Sequence, residues 1–314
     1  MDGFPNAKRP PRCQVIPLPG SQFSFVVAGR ERTRWCFDST SAPRPFFYPF
    51  VGPSGVSLTR MGHPGDWSHD HHRSVWFAHQ DVLGLSFWQN TPTRIRQKRW
   101  LALEDRDDAC GMAVSLGWFD GHEAELIEQE VIAWVRPGDG PSRIGDETLL
   151  EIQTTLRPTG PELTLGKTNF GLLAVRVAKT ISAHFGGGLL TNSLGASGEA
   201  AVFGQKAAWV DYSGPATVDA IEGITYFDHP SNPNHPNRWH VRDDGWMGAS
   251  LCFDGAISLT REAPLTLRYL LHAHGGPISS ERAAAQFALF SAAPGWRVVD
   301  SKTPHQRWRI EPAA

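Results

Sequence analysis

Apolar and polar side chains alternate with a period of two along much of this chain, and that period predicts strands. Phe23, Phe25 and Val27 alternate with polar or small residues. Between Glu125 and Val135, Leu126, Glu128, Glu130, Ile132 and Trp134 share one face, while Ile127, Val131 and Val135 share the other. Leu265, Leu267, Tyr269 and Leu271 form one face of a further strand, and Thr266, Arg268, Leu270, His272 and His274 form its other face. The stretches 74–78, 111–118, 148–156, 171–177 and 205–212 read the same way, with Pro and Gly between many of the runs. Only Ser279 to Ala293 fits a helix. It has Ser at the N-cap, Glu281 in the first turn, an Ala-rich body and a Pro294-Gly295 stop. One C-terminal helix among so many strands predicts an all-β fold, a large antiparallel β-sandwich.

The chain shows no internal repeat and no low-complexity linker. Gly186 to Ser197, rich in Gly, Asn and Ser, reads as a long loop rather than a boundary. Residues 1–314 are therefore read as a single β-sandwich domain, with 1–20 as an extended N-terminal arm. Large all-β domains reach this length.

Composition adds exclusions. The net charge is −2 with no basic tract, which argues against nucleic acid and anionic membranes as partners. No run of 18 apolar residues suggests a membrane helix, and Met1 to Cys13 is polar and Pro-rich, unlike a signal peptide. A cytoplasmic location is the default expectation. Cys13, Cys36, Cys110 and Cys252 form no C-x-x-C pair and read as reduced thiols. Twelve Trp and 17 Phe supply material for ligand platforms. Self-association is left open.

The chemistry concentrates in two places. Five of the 13 histidines, His63, His69, His71, His72 and His79, fall in the short stretch 63–79. Imidazole titrates near neutrality and ligates metals when neutral, so such a cluster suits either acid/base or metal chemistry. The plain alternative is a set of loop histidines that satisfy carbonyls and pack on Trp67 and Trp76. On an extended chain His71 and His72 point to opposite faces, so at most one enters a given pocket, whereas His69 and His71 share a face. The second place is a Pro-stiffened loop, Phe227 to Trp246, with Asp228, His229, His235, Trp239, His240 and Arg242. An acid, a base, a cation and indoles together suit a polar ligand such as a sugar. Its plain alternative is a structural turn at Asp228. His272 and His274 stand two apart on a strand, a spacing that also occurs on exposed sheet faces. Lys167 and Asn169, followed by Arg176, form a weaker hydrogen-bonding candidate. No phosphate loop, G-x-S-x-G elbow or H-E-x-x-H motif is present.

The runs Arg44 to Pro49, Thr59-Arg60, His69 to Ser74, Trp76 to His79 and Phe87-Trp88 resemble the "methane oxygenase PmoA-like" family. So do Thr168 to Leu172, Trp209 to Gly214, Phe227 to Pro230 and Trp239 to Arg242, and the resemblance spans about residues 44–276. It implies a β-sandwich, related to the galactose-mutarotase-like supersandwich, and a place in carbohydrate metabolism. The family's name implies a membrane monooxygenase subunit, which needs the transmembrane helices this sequence lacks. Many relatives carry a secretion signal that this chain does not.

The leading reading is a carbohydrate-processing enzyme using histidine acid/base chemistry on a sugar or oxidised (keto) sugar, of epimerase/mutarotase or lyase/hydrolase type. His71 is the expected base or acid, with His79 or His240 as its counterpart. Asp228 would orient an imidazole, and Arg73 and Arg242 would hold oxygens. Trp76 and Trp239 would stack on the ring, with Asn169 and His229 contacting substrate. This reading needs no cofactor. One rival is a metal-dependent oxygenase or hydrolase, with His69, His71 and His79, joined by Asp70, holding Fe, Zn or Cu. Another is a non-catalytic carbohydrate-binding module.

Overall fold

The computed structural model describes residues 8–140 and 145–313; residues 1–7 of the expected N-terminal arm lie outside them, and Cys13–Leu18 of that arm is a strand paired with Gln22–Val27 rather than part of a free arm. The predicted alternation resolves into two eight-stranded antiparallel sheets. In spatial order the first contains Cys13–Leu18, Gln22–Val27, Arg30–Cys36, Phe46–Phe50, Val75–His79, Gly171–Arg176, Trp246–Ser250 and Arg238–Arg242. The second runs Leu189–Asn192, Trp209–Pro215, Ile221–Asp228, Leu265–Gly275, Glu147–Pro158, Glu125–Gly138, Cys110–Phe119 and Arg94–Asp105. Two hairpin-sized pairs complete the described strands. One apolar cluster joins Phe25, Trp35, Phe47 and Val75 of the first sheet to Val114, Ile152, Tyr226 and Leu271 of the second, so the sheets pack face to face. The fold is mostly β and sandwich-like, as the alternation predicts.

The C-terminal helix is Ser280–Ala292, with the Ser279 hydroxyl accepting from the Arg282 N–H at 3.2 Å. Its Ala283 and Phe290 pack on Trp209, Phe227 and Leu270, on the outside of the second sheet. No helix among the described residues is long and apolar enough to cross a membrane.

Two local readings shift. The 205–212 strand starts at Trp209 and runs to Pro215. The expected 186–197 loop contains the strand Leu189–Asn192, preceded by a helical turn, Ala183–Gly186. Its glycines serve close backbone approach: a Cβ on Gly186 or Gly188 would collide with the carbonyls of Thr180 or Ile181.

The strand that creates the site is Gly171–Arg176. It lies between Val75–His79 and Trp246–Ser250, far from both in sequence. That insertion brings the histidine-rich segment and the Pro-rich segment onto one face.

Candidate active site on the outer face of the first sheet

Alternation decides which side chains reach this face. Phe46, Trp76, Ala174, Gly248 and His240 stand in one row, each paired across to the next. The adjacent row carries Arg176, Trp246 and Arg242. A Cβ on Gly248 would meet the Trp246 ring at 3.0 Å, so the glycine lets that indole fold back over its own strand. Trp76, Trp88 and Trp246 then form a buried aromatic cluster, of which Trp88 and Trp246 make the cavity floor, with Trp88 at 5.5 Å from Trp76 and 5.6 Å from Trp246 between ring centroids.

The 66–72 segment forms the wall. Asp66 caps a 3-10 turn, Trp67–His69, accepting from the Ser68 N–H at 2.9 Å and contacting His69 Nδ1 at 2.8 Å. The chain here is therefore turned, not extended. Contrary to the expectation of opposite faces, His71 and His72 both line the cavity, with ring centroids 4.3 Å apart. His72 stacks on Trp76 at 5.3 Å. Buried Arg44 ties this wall to the next segment, donating to the carbonyls of His71 (3.1 Å), Trp88 (2.7 Å) and Gln89 (2.9 Å).

The cavity between wall and floor has a volume of ≈ 330 Å³, in the range of small-molecule sites. His71 and His240 enter it in the same tautomer. His71 Nδ1 lies 3.0 Å from the Ser68 carbonyl and His240 Nδ1 lies 3.0 Å from the Asn169 carbonyl. A carbonyl only accepts, so each Nδ1 carries the proton and each Nε2 keeps its lone pair. Burial, reinforced by the Arg44 charge, lowers His71 to about 4. Burial also lowers His240 to about 4. His72 is pushed down by burial and by its neighbour His71. All three are neutral at pH 7.

Arg176, fully buried, pairs twice with Asp244, at 2.7 and 3.0 Å. His63 Nε2 adds a third contact to that carboxylate at 3.1 Å. Burial pushes the Asp244 carboxyl up, but Arg176, His63 and Arg60 together outweigh it and hold it below the usual range. Asp244 is thus committed to structure. Arg242 stands at the mouth, over the Phe203 ring and 3.0 Å from Glu199.

The model of a family of unknown function (DUF6807) matches residues 22–288. The chain belongs to this family. The match spans every residue lining the cavity, and it does not carry the PmoA-like name that the motifs resemble. A crystal structure of a "putative mutarotase" from Salmonella typhimurium aligns over 83% of this chain and 90% of its own, at 10% identity and a TM-score of 0.30. That likeness is too loose to bear on fold or chemistry. A comparison with curated proteins finds no match.

Of the residues expected from sequence, the structure gathers His69, His71, His240 and Arg242 at the cavity. It also brings in His72 of the histidine cluster and Arg176 of the weaker candidate, and adds Trp88, Phe170, Asp244 and Trp246. His79 alternates to the inner side of its strand, fully buried, with Nε2 3.0 Å from the Gly166 carbonyl. His69, His71 and His79 therefore do not converge. Among the described residues no group of three or more His, Cys, Asp or Glu is arranged to hold a metal ion. Trp239 also points inward, into the core, and donates to the Ala207 carbonyl at 2.8 Å instead of facing a ring. Trp76 lies under His72, outside the cavity lining. Arg73 leans over Phe46 and lines a separate depression. Asn169 serves through its carbonyl, which also accepts from Ser250 at 2.7 Å. His229 is buried beside Arg268 and Phe290. His272 and His274 are buried rather than exposed, each held by its own carboxylate, Glu147 at 2.7 Å and Asp211 at 2.8 Å.

Asp228 does contact an imidazole, but that of His235, away from the cavity. Its buried carboxylate also accepts from Asn232 (2.7 Å) and from the backbone and side chain of Asn237 (3.0 and 2.9 Å). It holds the Pro-rich loop that leads into the His240 strand. Asp228→Ala would strand these donors, and we expect it to cost about 3 kcal/mol of stability in urea denaturation. A loss below about 1 kcal/mol would mean that the loop is held otherwise.

Proposed function

We propose that the cavity binds a sugar or an oxidised (keto) sugar and performs proton transfer on it, at the anomeric centre or beside the carbonyl. The observation that carries this reading is the pair His71 and His240. Each is pinned by Nδ1–H on a backbone carbonyl, presents an unengaged Nε2, and stands beside an indole floor. Indole and phenyl faces suit the apolar faces of sugar rings. A neutral imidazole whose proton sits on Nδ1 is a ready base at Nε2, and it accepts the proton from a hydroxyl or an activated C–H. The second imidazole, in its protonated form, returns a proton to the ring or carbonyl oxygen. The net outcome is epimerisation or mutarotation, or elimination when a leaving group sits beside the carbon that loses its proton. Trp88, Trp246 and Phe170 would hold the ring, and Arg242 a hydroxyl or carboxylate at the mouth.

The test is solvent deuterium exchange. A panel of aldoses, ketoses and keto-sugars is incubated with the protein in D₂O, and proton NMR follows exchange and interconversion. Enzyme-dependent exchange or anomer interconversion on one panel member supports the reading. Binding without either, on every member that binds, would leave the cavity as a recognition site only.

A further inference from the structure

We infer that the ligand of this cavity is an anion, a sugar acid whose carboxylate answers the buried guanidiniums behind the cavity wall. The inference rests on the sugar reading above and names its substrate class. Its basis is an imbalance in the buried wall. Arg44 is almost completely buried and, among the described residues, donates to three carbonyls and to no carboxylate. Arg60 donates to the Asp244 carbonyl at 2.7 Å, while its Nε and Nη1 are buried without an acceptor. Arg176 consumes the Asp244 carboxylate. Of these three guanidiniums, only Arg176 contacts a carboxylate among the described residues, while Asp66 and Glu199 near the cavity are paired with His69 and Arg242. Asp243 nearby is exposed, where water and salt screen it.

The donors show the same imbalance. The Nε1 atoms of Trp76, Trp88 and Trp246 are buried without a partner, as is Arg73 Nε beyond them. These side-chain N–H groups have no acceptor among the described residues. Burial does most to keep these imidazoles neutral, and charge adds to it: Arg44 and Arg176 disfavour protonation of His71 and His72, while at His240 Arg242 disfavours it and Asp244 favours it. As built, the pair offers bases but no acid. A carboxylate within a few ångström favours the imidazolium form. An anionic ligand would thus raise the pKa of a neighbouring imidazole, which takes a proton from water and becomes the donor that the chemistry needs.

The experiment is a tryptophan-fluorescence titration with matched pairs: D-glucuronate against D-glucose, D-galacturonate against D-galactose, and D-gluconate against D-glucitol. Acetate and inorganic phosphate serve as bare anions. The expected result is at least tenfold tighter binding of the acid in one or more pairs, with the preference shrinking several-fold in Arg242→Gln. Acid and neutral partners binding within threefold of each other in every pair would overturn the anionic assignment and leave the sugar reading standing. Acetate or phosphate binding as tightly as any sugar acid, with no neutral sugar bound, would keep the charge argument and overturn the sugar reading. No change with any ligand would overturn both.

Discussion

Replacing His240 by Ala should lower kcat/KM on a substrate found in the exchange screen by about 10²–10⁴-fold, the usual contribution of a positioned acid or base. His71→Ala should fall in the same range, because the two imidazoles have the same tautomer and the same unengaged Nε2. If one takes the proton that the other returns, the double variant should lose little more than the worse single variant, since residues that act as a unit are strongly non-additive. Additive losses would mean independent contacts. Both variants keep the indole floor, so ligand binding followed by Trp88 and Trp246 fluorescence should change far less than turnover. A large rise in Kd with kcat preserved would reassign the pair to binding. His79→Ala separates this reading from the one sequence also allowed. His79 faces away from the cavity, so its loss should cost stability and spare kcat.

Much of the scaffold was legible from short-range pattern. The period-two runs at 125–135 and 265–274 are strands in the structure, and the Ser279 cap starts the helix as expected. The histidine-rich stretch does deliver side chains to a cavity. What pattern could not supply was pairing. Only the insertion of 171–176 between 75–79 and 246–250 puts Arg176, Trp246 and Asp244 beside His72, and sequence separation hides that. The His71–His72 expectation failed because it assumed extended backbone, where the Asp66 cap makes a turn. One error was avoidable. Trp239 and His240 are adjacent on a strand and must face opposite ways, so His240 and Arg242 share the outer face and Trp239 goes to the core. His79 follows the same rule against Ala78 and Trp76.

Stability should fall steeply as the pH drops from about 6.5 to about 4, because several histidines, His79 and His240 among them, are buried as neutral groups. His79 is fully buried and His240 is 2% exposed, and burial lowers each to about 4. In the unfolded chain both titrate near the ordinary value of about 6.5. Between these limits the unfolded state binds protons that the folded state refuses, so unfolding gains with each step toward acid. The contribution is fully present above the unfolded value and is lost as the pH falls toward the folded one. Each histidine accounts for roughly 3 kcal/mol, and the pair for about 6 kcal/mol, a large part of a typical folding free energy. Asp244 and Glu147, raised by burial but held low on balance by their partners, act in the same direction at still lower pH. Urea midpoints measured from pH 8 to pH 4.5 should be flat at the top and decline below about 6.5. His79→Asn can keep an N–H near the Gly166 carbonyl without titrating. It should reduce the slope of stability against pH by up to about 1.4 kcal/mol per pH unit, one proton's worth. An unchanged slope in that variant, or a flat profile in the parent, would show that these imidazoles are not held neutral by burial.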